Sequence, residues 1–246
     1  MPGDLAVPLP FVRVDGLTKQ YRRLTALDGV GFSIRRGEML GLIGPNGAGK
    51  TTLFECLAGV RPVDGGTVAI DGRSVAPPGR GVHLFYLPDG IAPWPAQSVR
   101  WALDFTIGFF GGDRTKRDEV VGRLSIGPLL RQPIGTLSKG QRKRVILAMG
   151  LLAPQPLLLF DEPFDGLDLR QTRDVADVLR EHVIGGRTLF LSIHQIADAA
   201  RVCDRFVLLS GGRVRGEGTA DELAAISAAR GGTCGQDLEE VFLALT

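Results

Sequence analysis

The sequence has 246 residues, 44% of them apolar and 23% charged, the balance of a globular protein with a large core in one domain, with or without a subdomain. Its formal net charge of +2 forces neither a nucleic-acid nor a membrane-surface role. Cys56, Cys203 and Cys234 are odd in number and far apart, so they make neither a disulfide framework nor a metal site, which suits a reducing cytoplasm. The opening Met1-Pro-Gly-Asp-Leu-Ala lacks the basic region and long apolar run of a signal peptide. The best apolar stretch, Val145 to Ala153, holds Gly150 and is half of the ~18 residues that a membrane helix needs, so no membrane span is expected.

Residues 1–10 carry three prolines and read as a loose arm. Phe11-Val-Arg-Val alternates as a strand does, and Thr18 to Arg23 reads as a loop. Taken alone, Tyr21 in that loop is a partly exposed aromatic. Val30 to Ile34 is a second strand, and Gly37 turns into a third, Met39 to Ile43, whose apolar run is of the buried type. Gly44, Pro45, Asn46, Gly47, Ala48, Gly49, Lys50, Thr51 and Thr52 come next and fill every position of the phosphate-binding pattern G-x-x-x-x-G-K-[ST]. Thr51 to Ala58 continues as a helix. A strand, a glycine loop and a helix N-terminus in this order aim backbone N–H groups at one point, which attracts phosphate. Gly44, Gly47 and Gly49 let the backbone curl around oxygens without a Cβ in the way. Lys50 can reach the β and γ phosphates, and the Thr51 hydroxyl can ligate Mg²⁺. A chance glycine-rich turn would not bring both the strand and the helix, so the ligand to explain is a nucleoside triphosphate.

Pro62 to Gly66 and Asp71-Gly72 are turns on either side of a strand, Thr67 to Ile70. Pro77-Pro78-Gly79 is a loop before the strand Val82 to Leu87, which Pro88-Asp89-Gly90 ends. The composition then changes. Ser98 to Phe110 and Arg114 to Leu124 have helical patterns and read as a helical insert between strands of an α/β core. Ser138 with Gln141 forms a capping-box pattern that opens a helix, continued from Arg142 to Ala153. The cluster Arg142-Lys143-Arg144 reads as a solvated helix face in preference to a nucleic-acid patch. Pro156 to Phe160 is an apolar run ending in Asp161-Glu162-Pro163. Asp165 to Asp168 is a turn and a helix cap, and Leu169, Thr172, Val175, Val178 and Leu179 form one helical stripe. Thr188 to Ile193 is a buried strand ending at His194. Ile196 to Cys203 is a helix, Phe206 to Leu209 a strand, and Gly211-Gly212 a hairpin turn. Thr219 to Glu222 is a second capping box, Gly231-Gly232 breaks its helix, and Asp237 to Thr246 makes a short final helix.

A triphosphatase needs acids for the metal and for the attacking water. Asp161 ends an apolar strand, where a metal-side aspartate belongs, and Glu162 follows directly, placed to act as general base. An Asp-Glu pair alone is usually an ordinary strand end. The phosphate loop in the same chain favours the catalytic reading.

These motifs, in this order and over nearly the whole length, resemble the nucleotide-binding subunits of ATP-binding cassette (ABC) transporters. Gly44 to Thr52 is similar to the family's Walker A loop, and Leu157 to Glu162 to its Walker B strand. Leu137-Ser138-Lys139-Gly140-Gln141 is similar to the signature sequence, which is the most specific element. Gly166-Leu167-Asp168 resembles the D-loop, and His194 stands where the family's switch histidine contacts the γ-phosphate. Tyr21 stands where the family stacks an aromatic on adenine. The resemblance implies an α/β fold: a P-loop NTPase (RecA-like) core with an N-terminal antiparallel β subdomain and an inserted α-helical subdomain. It implies one domain over 1–246, with 1–88 and 154–230 as the core, 89–153 as the helical subdomain carrying the signature, and 231–246 as a C-terminal helix.

The same resemblance implies ATP and Mg²⁺ as cofactors, with Glu162 and His194 catalytic and Thr51, Asp161 and Asp89 on the metal side. Ser138, Lys139, Gly140 and Gln141 would serve the nucleotide of a second copy, so that ATP is sandwiched in a homodimer. A separate integral membrane permease would dock on the helical insert, with no nucleic-acid partner. The chain would lie in the cytoplasm, peripheral on the inner face of the membrane. The stretch Asp237 to Thr246 resembles the tails of ATPases of ABC-2-type exporters, which favours export; such exporters move drugs, lipids or polysaccharides, and nothing in this sequence names the cargo. Two departures stand out. Lys139 replaces the first signature glycine and adds a cation near the phosphates. Asp89 replaces the family's glutamine, and would either ligate Mg²⁺ more strongly or repel the γ-phosphate. Two alternatives remain: a soluble ABC ATPase outside transport, and a nucleotide-gated module with little hydrolysis.

Overall fold

The computed structural model describes residues 10–229 and 238–245. Its main sheet is built around β3 (Met39–Ile43), which is buried at all positions. The order is β10-β9-β3-β8-β7-β6, with β6 (Leu84–Leu87), β7 (Leu157–Asp161), β8 (Thr188–Ile193) and β9 (Arg205–Ser210) parallel to β3. β10 (Arg213–Gly218) returns antiparallel to β9 through the Gly211-Gly212 turn. Period-2 alternation divides these apolar strands between two cores. Leu40, Leu42, Leu157, Leu159 and Phe190 face one core, and Met39, Ile43, Leu158, Phe160, Leu189 and Leu191 the other. Fully burying each such side chain contributes about 1.5–3 kcal/mol.

The first core lies under α1 (Lys50–Ala58) and the antiparallel sheet β2-β1-β4-β5, formed by β1 (Val12–Tyr21), β2 (Leu24–Ile34), β4 (Gly65–Ile70) and β5 (Arg73–Ser74). Phe54 of α1 meets Phe190 edge-on at 4.9 Å. The second core holds α2 (Val99–Phe110), α3 (Arg114–Arg123), α4 (Lys139–Leu152) and α5 (Leu169–Ile184). α6 (Ile196–Val202), α7 (Ala220–Ala229) and α8 (Leu238–Leu245) close its far end. α/β core, antiparallel sheet and helices between β6 and β7 together make the fold class expected from the sequence.

Three local expectations are corrected. Thr18 to Tyr21 is not loop but the end of β1, paired at Lys19↔Leu27, Gln20↔Thr25 and Tyr21↔Leu24. Its polarity suits an antiparallel strand with one face in water. Pro77–Val82 is a 3-10 turn, so β6 starts only at Leu84; buried Arg80 holds the turn by donating to the Val75 and Cys56 carbonyls. Leu169 is 59% exposed, because it opens α5 ahead of the stripe that buries Val175, Val178 and Leu179. The expected arm falls on residues 1–9, and Gly231-Gly232, Cys234, Asp237 and Thr246 likewise lie outside the described residues.

Candidate nucleotide site

The chain leaves β3 through Gly44, where an added Cβ would sit 2.3 Å from the Leu209 carbonyl oxygen. Gly49 has φ 105°, and a Cβ there would sit 2.6 Å from the Ala26 carbonyl oxygen. Only glycine fits these two positions, so the loop can run against the ends of β9 and β2. Gly49 begins α1 with no side-chain cap, and the first turn holds no acid. Its free N–H groups and the helix dipole thus favour an anion. Lys50 Nζ curls back to donate to the Gly44 carbonyl at 2.7 Å and lies 3.7 Å from Glu162 Oε1.

Sheet register brings the acids to this loop. Asp161 pairs with Ser192 across β7 and β8. Thr51 Oγ1 donates to Asp161 Oδ2 at 2.8 Å, and Ser192 Oγ donates to Asp161 Oδ1. Ser192 Oγ also accepts the Glu162 N–H at 2.9 Å. The Glu162 carboxylate lies between Lys50 and His194, with His194 Nδ1 2.8 Å from its Oε2. The expected residues Lys50, Thr51, Asp161, Glu162 and His194 therefore converge. Ser192 joins them unexpectedly; its only sequence signal is a lone hydroxyl near the end of an apolar strand.

The signature residues form their own cap. Ser138 Oγ accepts from Gln141 N at 3.2 Å, and Gln141 Oε1 accepts from Ser138 N at 2.9 Å, as the capping box requires. A Cβ on Gly140 would lie 2.9 Å from the Gly166 carbonyl oxygen, so α4 begins against the loop after β7. Lys139, expected near the phosphates of a second copy, pairs within its own chain with Asp165 at 2.8 Å. Its hydrogen bond and charge hold the Asp165 carboxyl below the usual value. Tyr21 ends the β1–β2 hairpin, half-buried, with Arg61 Cζ 5.3 Å from its ring centroid and Lys19 Nζ at 5.6 Å.

Two expectations change here. Asp89, expected on the metal side, has the Lys143 ammonium as its partner, at 2.6 Å from its carboxylate. Lys143 does not belong to a solvated face either. Its side chain is 10% exposed and also donates to the Glu162 carbonyl at 2.8 Å, while Arg144 donates to the Leu124 carbonyl at 3.1 Å. The physical reason is common to both. α4 lays this face on the loops after β6 and β7, where a buried ammonium needs acceptors and finds Asp89.

Among the described residues no three His, Cys, Asp or Glu side chains form a self-sufficient metal cage. Mg²⁺ does not need one, since it takes one or two carboxylates together with phosphate oxygens and water. The hydroxyl and carboxylate of Thr51 and Asp161 fit that demand.

A family model for ABC transporters matches residues 27–165, more than half of the chain. The chain belongs to the ABC transporter family. It is the family's ATP-binding subunit, an ATPase. It is 34% identical over 234 residues to a Nod factor export ATP-binding protein from Ralstonia nicotianae, covering 90% of this chain and 71% of that one. It is 36% identical over 216 residues to a hemin import ATP-binding protein from Streptomyces coelicolor, covering 81% and 74%. A solved ATP-binding subunit of an ABC transporter superposes with a TM-score of 0.84 at 28% identity, covering 96% of this chain and 99% of that one.

No helix among the described residues of this ABC subunit is long and apolar enough to cross a membrane. One apolar surface stands out. A cleft of about 320 Å³ between β6 and α2 is lined by Phe85, Ile91, Trp94, Phe105 and Phe109. Trp101 stacks on Phe105 at 5.3 Å, and Phe105 on Phe109 at 6.4 Å, with Trp101 and Phe109 exposed at 40% and 74%.

Proposed function

We propose that two copies of this chain close head to tail around two Mg-ATP and hydrolyse them to drive a separate membrane permease, in the direction of export. The observation that carries the chemistry is the hold on Glu162, whose carboxylate lies between Lys50 and His194 one residue beyond Asp161. Thr51 and Asp161 would hold Mg²⁺, which when bound supplies positive charge to the phosphate oxygens. The α1 N-terminus binds the phosphates, and Lys50 exchanges the Gly44 carbonyl for a phosphate oxygen. Glu162 takes the proton of the attacking water as its oxygen bonds to the γ-phosphorus and ADP leaves. His194 fixes the rotamer of that carboxylate. Ser138 and Gly140 present the α4 N-terminus to the nucleotide of the other copy.

The aromatic cleft beside α2 is the permease dock in this reading, and would keep the chain on the inner face of the membrane. An exposed aromatic patch of this kind is costly in water unless a partner covers it. Export rests on the tail at 237–246 and on the similarity to the Nod factor export subunit. The pairing of Asp89 with Lys143 supports a hydrolysing subunit over a module that scarcely hydrolyses.

Glu162→Gln tests the proposal. ATP binding should survive while turnover falls roughly 10²–10⁴-fold. Near-parental turnover would overturn the assignment of the base.

A further inference from the structure

The backbone of Glu162 is left-handed, with φ 50°, a conformation that an L side chain seldom adopts. Such a residue persists where its surroundings over-determine it. Here both faces of its peptide units are held. Its N–H donates to Ser192 Oγ at 2.9 Å. Its carbonyl accepts from Lys143 Nζ at 2.8 Å and from the Asp165 N–H at 3.2 Å. The Lys143 side chain is nearly buried, and an unpaired ammonium there would be unstable. Asp89 supplies the opposite charge at 2.6 Å from the loop after β6. Lys143 stands four residues after Lys139, so one face of α4 grips the loop after β7 twice, at Asp165 and at Glu162.

We propose that Lys143, held by Asp89, is a positioning residue that fixes the backbone of Glu162 and so aims its carboxylate at the attacking water. This rests on the reading of Glu162 as the base. The acid at position 89 and the ammonium at position 143 act as one unit, so that the aspartate serves the catalytic loop through lysine and not through metal. The signature helix is thereby coupled directly to the residue that performs the chemistry.

The test uses the full chain with Lys143→Met, Asp89→Asn, the double variant, and Glu162→Gln in parallel. Lys143→Met should lower kcat by roughly a hundredfold, the loss that misplacement by about an ångström can cause. ATP affinity by calorimetry should stay within about twofold of the parent. Hydrogen exchange in the nucleotide-free chain should quicken at the amides of Glu162 and Asp165. Asp89→Asn should move kcat and exchange the same way, and the double variant should be no slower than Lys143→Met alone. Parental kcat in Lys143→Met, beside a dead Glu162→Gln, would overturn the proposal. So would unchanged exchange at 162 and 165, or fully additive losses at 89 and 143. If Lys143→Met fails to fold, Asp89→Asn decides by the same two readouts. If Glu162→Gln keeps its turnover, the base assignment falls instead, and the exchange rates still decide whether Lys143 restrains the loop.

Discussion

Lys139 and Asp165 are joined by a 2.8 Å ion pair that ties the signature turn to the loop behind β7 in the same chain. The lysine stem also crosses Gly166, where an added Cβ would meet Lys139 Cδ at 2.6 Å. Gly166 has φ 80°, so Gly166→Ala should cost about 1–2 kcal/mol from the backbone alone. Lys139→Ala should cost little, because an exposed ion pair contributes little to stability. Urea unfolding of both variants checks this. Equal losses would mean that the pair, and not the backbone, holds the loop.

Lys50→Ala should weaken nucleotide binding and leave the fold intact. Charge-assisted hydrogen bonds to phosphate are worth about 1.5–3 kcal/mol each, so ATP affinity should fall about tenfold or more. Turnover should vanish with it. Unchanged affinity by calorimetry would remove Lys50 from the phosphate site.

Ser138 caps α4, and its side chain would face the nucleotide of the second copy. Sedimentation should show monomers without nucleotide, and dimers with ATP in the Glu162→Gln background. Adding Ser138→Arg should abolish the dimer and keep ATP binding to the monomer. Its lost cap should cost about 0.5–2 kcal/mol of stability. A dimer that forms without nucleotide and tolerates Ser138→Arg would contradict the sandwich.

His182 on α5 gives the fold a pH dependence. Burial, with a smaller effect of the Arg187 charge, pushes its pKa down from 6.5 to about 4. Between these values the unfolded chain carries the proton and the folded chain does not. Its contribution is therefore full above pH 6.5 and is lost as pH falls towards about 4. The slope should approach about 1.4 kcal/mol per pH unit inside that window. His182→Gln should flatten the slope in urea unfolding measured from pH 7 to pH 4. An identical slope in the variant would assign the pH dependence to other groups.

The local parts of this site are legible in the order of the residues. The phosphate loop, the capping box at Ser138, the helix cap at Asp168 and the Gly211-Gly212 turn are set by spacings of a few residues, which backbone geometry alone converts into shape. The apolar runs at 39–43, 157–160 and 188–193 likewise announce buried parallel strands. Thr18 to Tyr21 misleads because polarity signals a loop and an exposed strand alike.

Charge partners are not legible in the same way. Lys143 meets Asp89 across 54 positions, and Ser192 meets Asp161 across 31. Every acid and base here has many possible partners in the sequence, and electrostatic attraction does not choose among them at a distance. The sheet order β3-β8-β7-β6 chooses, by placing Asp161 beside Ser192 and the loop after β6 under α4. Residue order is enough to propose a triphosphate site at Gly44–Thr52 with its acids at 161 and 162. That Asp89 belongs to Lys143 follows from the packed fold alone, because a side chain's charge is fixed by its residue type and its partner by the register of strands far apart in the chain.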